Sequence, residues 1–357
     1  MIRLKEFVVD AALCSIAFGV LWGGAATGQA GSSAQAATAE TPAQAVASSS
    51  ISHARTLLQQ GNYDAAIAEL QALEAGGNPP KGLSRELGTA YYKKADYTKA
   101  IDALKKATAE DSEDRESVQL LGLCYYLSGH PSEAIPYLEK VQTWFPRANV
   151  DASYILGICY IQNKDYAHAR QAFARMFDLA PDSAASYLLT ARMLLRQEFV
   201  PIAEEYGHKA IELDPKLPLA HYLLGELYLF KSQIQEATSE LQKELVINPG
   251  YAPAYYKLAD AYSRLQKYDD AERLLQRSLW LDSTATGPYI LMGKVLEKKG
   301  EFELAVRALQ RAINMDPGNA MPHQLLGQTY REMGRTDEAE AELQKASKLR
   351  QAIDAKE

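Results

Sequence analysis

Alanine recurs along this chain at positions 66, 100, 134, 169, 203, 237, 271, 305 and 339, always 34 residues apart except for one interval of 35 between Ala134 and Ala169. A second small residue keeps the same period, as Ala54, Gly88, Gly122, Gly157, Ala191, Gly225, Ala259, Gly293 and Gly327. Prolines keep it too, at Pro146, Pro181, Pro215, Pro249 and Pro317, with Ser283 in the one slot that lacks a proline. Three series in one phase are internal repetition. A period of this size specifies a solenoid, in which each unit packs on its neighbours and no unit closes a core alone.

Each unit reads as two helices. In the best-formed one, Leu224, Gly225 and Tyr228 share one helical face, Ala237 and Leu241 another, and Pro249 ends the second helix. The small residue of the first helix lets the second approach its backbone, and the alanine of the second returns the accommodation. Tyr91, Tyr125, Tyr160, Tyr228, Tyr262 and Tyr330 then fill the space between helices.

These residues, a Leu-Gly pair, Tyr, Ala, a bulky residue, Ala and Pro in fixed order, resemble the tetratricopeptide repeat. The resemblance implies an all-α, right-handed superhelical solenoid of helix-turn-helix repeats over residues 49–353, in nine units. The units begin near Ala47, Lys81, Arg115, Val150, Ala184, Pro218, Ala252, Thr286 and Ala320. No unit has Trp in the family's tryptophan slot. The first and fifth units depart most, with Ala54 and Ala191 in place of glycine, Leu194 in place of tyrosine, and Gly207 where a large residue is expected. The final stretch through Leu343, Ala346 and Leu349 suits a solvated capping helix, with residues 354–357 as a short tail.

Ahead of the repeats, Arg3 and Lys5 precede an apolar run from Ala11 to Trp22, and small residues offer cleavage near Ala26 or Ala30. Residues 1–30 read as a signal peptide, since the run is short for a membrane span of about 20 residues. The chain is therefore expected to be exported, periplasmic or extracellular. The alternative is an inner-membrane anchor formed by an uncleaved signal, the sole membrane contact expected. Cys14 lacks the small residue that a lipid-modified cysteine wants before it. Residues 31–48 are Ala/Ser-rich with almost no large apolar side chains and read as a disordered linker.

The net charge of -7, with no run of Lys and Arg, argues against a nucleic-acid partner. Three cysteines, Cys14, Cys124 and Cys159, provide no disulfide framework. Cys124 and Cys159 occupy one repeat slot where other units carry Ala90, Leu227, Ala261 or Val295, so they read as core filling. His130 and His168, near them in sequence, fall in a turn and at the start of a second helix, badly placed to share a metal with buried thiols. The six histidines are scattered over different slots and no hydrolase or metalloprotease motif occurs. No enzyme, metal or cofactor is expected.

Function then lies in the surface that stacking creates. The family resemblance implies that a protein or peptide segment binds along the inner face of the first helices. In units three and four the inward slots hold Leu120, Leu123, Tyr126 and Leu127, then Tyr154, Ile155, Ile158 and Ile161. In units five and six they hold Leu188, Leu189 and Leu195, then Tyr222, Leu223, Leu229 and Phe230. Units seven to nine change to Lys257, Asp260, Arg264, Lys294, Lys298 and Arg331. The asparagines that carboxylate-clamping adaptors and glycosyltransferase superhelices of this family use are absent from those slots. The expected function is an adaptor for an apolar or amphipathic segment in an envelope or secretion-related assembly. Self-association into a homo-oligomer through the groove is the alternative, with glycan or small-ligand binding behind it.

Overall fold

The computed structural model describes residues 42–77, 79–144 and 150–354, and the side chains of all of these except 42–49, 150, 151 and 354. The expected signal peptide, the first part of the linker and most of the tail lie outside the described residues, as does Pro146. Among the described residues every regular element is a helix, and there are eighteen.

The chain divides into two compact units. The first runs to Asp182 and takes in the turn residues Arg196–Glu198; the second comprises Ser183–Leu195 and everything from Phe199 on. In the first lie α1 (Pro42–Gln59), α2 (Tyr63–Ala75), α3 (Leu83–Lys93), α4 (Tyr97–Glu110), α5 (Arg115–Leu127), α6 (Pro131–Trp144), α7 (Val150–Gln162) and α8 (Tyr166–Met176). The second starts with α9 (Ala184–Arg196), α10 (Val200–Leu213), α11 (Ala220–Phe230), α12 (Ile234–Ile247) and α13 (Ala252–Arg264). It continues through α14 (Tyr268–Leu281), α15 (Thr286–Lys298), α16 (Phe302–Met315), α17 (Ala320–Glu332) and α18 (Thr336–Asp354). Odd-numbered helices are the first helices of nine repeats. Within each compact unit the hairpins pack on one another, as α3 does on α4 and α5 and α13 on α14 and α15, and in the fifth repeat Tyr187 of α9 meets Tyr206 of α10 with ring centres 5.2 Å apart.

Six of the nine expected unit starts coincide with the first residue of a helix, at Arg115, Val150, Ala184, Ala252, Thr286 and Ala320. The linker expectation is corrected at its end. Helix α1 begins at Pro42, inside the Ala/Ser-rich stretch, because proline suits a first helical turn and alanine is the strongest helix former. The first and fifth units, which depart most from the pattern, also form helical hairpins, with Ala54, Ala191 and Leu194 buried.

The repeated glycine accommodates a side chain more than a backbone. A Cβ added at Gly88, Gly122, Gly225, Gly293 or Gly327 would lie 2.5 to 2.9 Å from Leu104, Leu138, Leu241, Leu309 or Leu343, each four residues beyond the periodic alanine. At Gly157 the intruding group is Phe173. The unexpected Gly207 follows the same logic, since Leu224 fills the space its missing Cβ leaves.

A further periodic feature is the turn between the two helices of each hairpin. Gly61, Ala95, Gly129, Lys164, Glu198, Ser232, Gln266, Gly300 and Gly334 all have φ between 60° and 80°. The next residue's N–H then bonds back to the carbonyl five positions earlier, as from Gln233 to Tyr228 at 2.8 Å and Lys267 to Tyr262 at 2.9 Å, closing each first helix with a Schellman motif. The periodic tyrosines join successive repeats: Gln71 donates to the Tyr91 hydroxyl at 2.8 Å, Gln242 to Tyr262 at 2.8 Å and Gln310 to Tyr330 at 3.4 Å, while His208 lies 3.0 Å from the Tyr228 hydroxyl.

Candidate partner-binding face

The groove expected over units three to six falls on two separate bodies. Units three and four belong to the first compact unit, five and six to the second.

In the first unit, α5 and α7 pack against each other and present apolar side chains together. Leu120, Leu123 and Tyr126 of α5 are half-buried and Leu127 is 44% exposed, while Tyr154 and Ile155 of α7 are half-buried. Burial raises the Tyr126 phenol pKa, with smaller contributions from Cys159 and Tyr154, so the hydroxyl stays neutral and amphipathic. Tyr92 of α3 occupies the slot of Tyr126 one repeat earlier and is also half-buried, which extends the face beyond the residues that the sequence pointed to. Past it the face turns polar, because Arg55 of α1 pairs with Glu86 of α3 at 2.6 Å.

Ile158 and Ile161 are corrections to the expected list. Ile158 is 1% exposed and Ile161 fully buried. Helix α7 is apolar on every side from Tyr154 to Ile161, the composition of a helix surrounded by protein, so those two isoleucines are core.

In the second unit the same correction applies to Leu188, Leu223 and Leu229, which are buried. Helix α11, with Glu226 and His221 its only ionisable side chains besides tyrosines, buries most of its length and leaves Tyr222 half-buried and Phe230 54% exposed. Leu189 and Leu195 of α9 are half-buried. The charged part starts earlier than the sequence pattern indicates, because Glu226 of α11 lies 3.0 Å from Lys257 of α13. Arg264 pairs with Asp260 at 2.7 Å and donates to the Leu229 carbonyl at 3.2 Å, closing over that leucine. Lys298 pairs with Glu297 at 3.2 Å. Lys294 and Arg331 are exposed. Most of the expected polar end is thus neutralised within the fold itself.

Cys124 and Cys159 sit in the core as free, buried thiols, and burial pushes both pKa values up to about 12. His168 lies 2.7 Å from Asp165, the residue that caps α8. Among the described residues no three His, Cys, Asp or Glu side chains converge as metal ligands, and no helix is long and apolar enough to cross a membrane.

Comparison with known proteins follows the repeats. Tetratricopeptide repeat models match residues 51–114, 254–289 and 296–356, and the model of anaphase-promoting complex, cyclosome, subunit 3 matches residues 93–176. No curated protein sequence matches the chain. Among solved structures, it is similar to MamA from Desulfovibrio magneticus RS-1 at 21% identity, over 48% of this chain and 97% of that one, with a TM-score of 0.45. It is similar to YrrB, described as a TPR protein with an unusual peptide-binding site, at 25% identity over 53% and 98%, with a TM-score of 0.44. A chain of the APC/C hetero-tetramer Cut9-Hcn1 is similar at 20% identity over 78% and 55%, also with a TM-score of 0.44. Superpositions this loose carry no argument about binding. The repeat matches along the chain and the succession of helical hairpins make this a tetratricopeptide repeat protein.

Proposed function

We propose that the chain is a binding module, an adaptor that holds an apolar or amphipathic protein segment on the inward face of its first helices. One observation carries this reading: Leu120, Leu123, Tyr126, Leu127, Tyr154 and Ile155 leave apolar surface in contact with water on two adjacent helices. A contiguous patch of that kind marks an interaction site. Leucine and tyrosine supply burial without a fixed polar geometry, so the face suits a segment chosen by amphipathicity more than by a strict motif. The export reading, and with it an envelope or secretion-related setting, rests on the sequence of residues 1–30 alone.

The test is Leu123→Asp with Leu127→Asp, assayed by crosslinking in the native compartment. Helicity and the unfolding midpoint should stay near wild type while captured partners are lost. Equal capture by wild type and variant would remove this face from consideration. Light scattering separates the alternative: a dimer abolished by the same two substitutions would replace the adaptor by a self-associating protein.

A further inference from the structure

The second compact unit carries an apolar feature on its second helices, away from the first-helix slots. Trp280 of α14 is 73% exposed and Val246 of α12 is 84% exposed. They are 34 residues apart and so occupy one slot in consecutive repeats, a slot that holds Asp178, Glu212, Asn314 and Lys348 elsewhere. Neither side chain is buried by the fold; singly exposed apolar residues are ordinary, and what sets this pair apart is its shared slot and the cations beside it.

Cations surround this slot. One turn before it, every repeat from the second to the ninth has Lys or Arg: Lys106, Lys140, Arg175, Lys209, Lys243, Arg277, Arg311 and Lys345. Most are spoken for within the chain, as Lys243 is by Glu240 at 2.7 Å and Lys345 by Glu342 at 2.7 Å. Around Trp280 they are not. The Arg277 guanidinium stacks 4.2 Å from the Trp280 ring centre and 5.9 Å from that of Tyr255. Arg311 lies 6.0 Å from the Tyr289 ring, and Arg307 is exposed one turn before it. Among the described residues Arg277, Arg307 and Arg311 have no carboxylate partner. Asp270 pairs with Arg273, whereas Asp282 accepts from the Thr284 N–H and hydroxyl at 2.8 and 2.6 Å and keeps its charge, as does exposed Glu303 one turn before Arg307, so three guanidiniums face two carboxylates here.

We propose that this face docks on a bilayer surface containing anionic lipid. Trp280 and Val246 enter the headgroup region and the three guanidiniums meet lipid phosphates. Two protruding side chains are too little for a specific protein interface, which buries roughly 1,200 to 2,000 Å², but suffice at a membrane, where charge attraction adds to a shallow apolar insertion. Indole is favoured at headgroup depth, and a stacked guanidinium keeps its donors free at the ring edge for phosphate. Both side chains protrude from helices packed within the solenoid, so the contact is peripheral. It is a membrane contact independent of the N-terminal segment and of the apolar first-helix face.

The experiment uses the full chain with Trp22→Phe and Trp144→Phe, which leaves Trp280 as the only tryptophan and so reads its depth whatever the N-terminal run does. With vesicles of phosphatidylglycerol and phosphatidylcholine in low salt, Trp280 emission should shift to the blue and be quenched by brominated acyl chains. Arg277→Gln, Arg307→Gln and Arg311→Gln together should lower vesicle partitioning of this contact on the order of 100-fold, and high salt should act in the same direction. Trp280 emission unchanged by vesicles, or unaffected by the arginine substitutions, would overturn the proposal. Trp280-dependent dimerisation in place of vesicle binding would overturn it too, and would reassign the face to a second copy of the chain.

Discussion

The inner faces of α5 and of α13, α15 and α17 are made from the same slots of the same repeat, yet they have opposite chemistry. The slot of Leu123 holds Asp260, Lys294 and Gln328 in the last three repeats, and the slot of Leu127 holds Arg264, Lys298 and Glu332. Hairpin geometry is unaffected by the exchange, because the glycine slot, the leucine that enters it and the left-handed turn residue are supplied by other positions. The fold leaves the inward slots free to vary between apolar and charged residues. The same slots also hold two kinds of apolar residue. Leu127 protrudes, whereas Ile158, in the slot of Leu123, is core.

That distinction can be broken most forcefully at Ile158. Ile158→Asp places a carboxylate where exposure is 1%, and should destabilise the first unit by more than about 4 kcal/mol, read as loss of its unfolding transition. Leu127→Asp should change stability by less than about 0.5 kcal/mol while weakening partner capture. Similar losses at the two positions would mean that α7 is as open as α5. Gly225→Ala should cost about 1 to 3 kcal/mol in chemical denaturation of the second unit, since the new methyl meets Leu241 at 2.6 Å. In a Leu241→Ala background the same glycine substitution should cost less than it does in the wild type, because the side chain it strikes is gone.

Acid distinguishes the units by another route. In the second, His221 and Glu240 lie 2.6 Å apart, and His323 and Glu342 2.5 Å apart, three repeats on, each carboxylate also meeting a lysine. Burial opposes ionisation of Glu240 and Glu342, but their His and Lys partners prevail and hold both pKa values below the ordinary 4.5. A carboxylate whose folded pKa is depressed stabilises above its unfolded pKa and loses that contribution as pH falls through the folded value. Glu240→Gln with Glu342→Gln should therefore flatten the fall in stability of the second unit below about pH 4.5. A small gain is expected at the turns: Glu198→Gly, at φ 65°, should stabilise by up to about 1 kcal/mol, as a left-handed turn suits glycine.

Much of the fold was legible because it rests on residue types that repeat. Ala134, Gly122 and Pro215 keep the period in plain view, and six helix starts follow from it. The turn series was hidden because five of its nine members, such as Lys164 and Glu198, are not glycine; the closing hydrogen bond imposes that conformation on whatever residue stands there. The candidate face was legible in part. Helical spacing places Leu123 and Ile158 in one slot, but spacing alone does not tell a half-buried leucine from a buried isoleucine; Leu123 keeps contact with water, whereas Ile158, on a helix apolar on every side, does not. Glu226 escaped notice because a lone acid among leucines reads as an apolar helix until Lys257 is seen beside it. Trp280 falls in no inward slot, and only exposure reveals it.

The central claim is that a protein segment occupies the apolar first-helix face of the first unit. Placing a photocrosslinking amino acid at Leu127, with matched replacements at Arg264 and at the outward Gln276, tests it directly in the native compartment. A protein adduct strong at 127 and weak at 264 and 276 is the predicted result. Equal yields at the three positions, or none at 127 while 276 reacts, would contradict it.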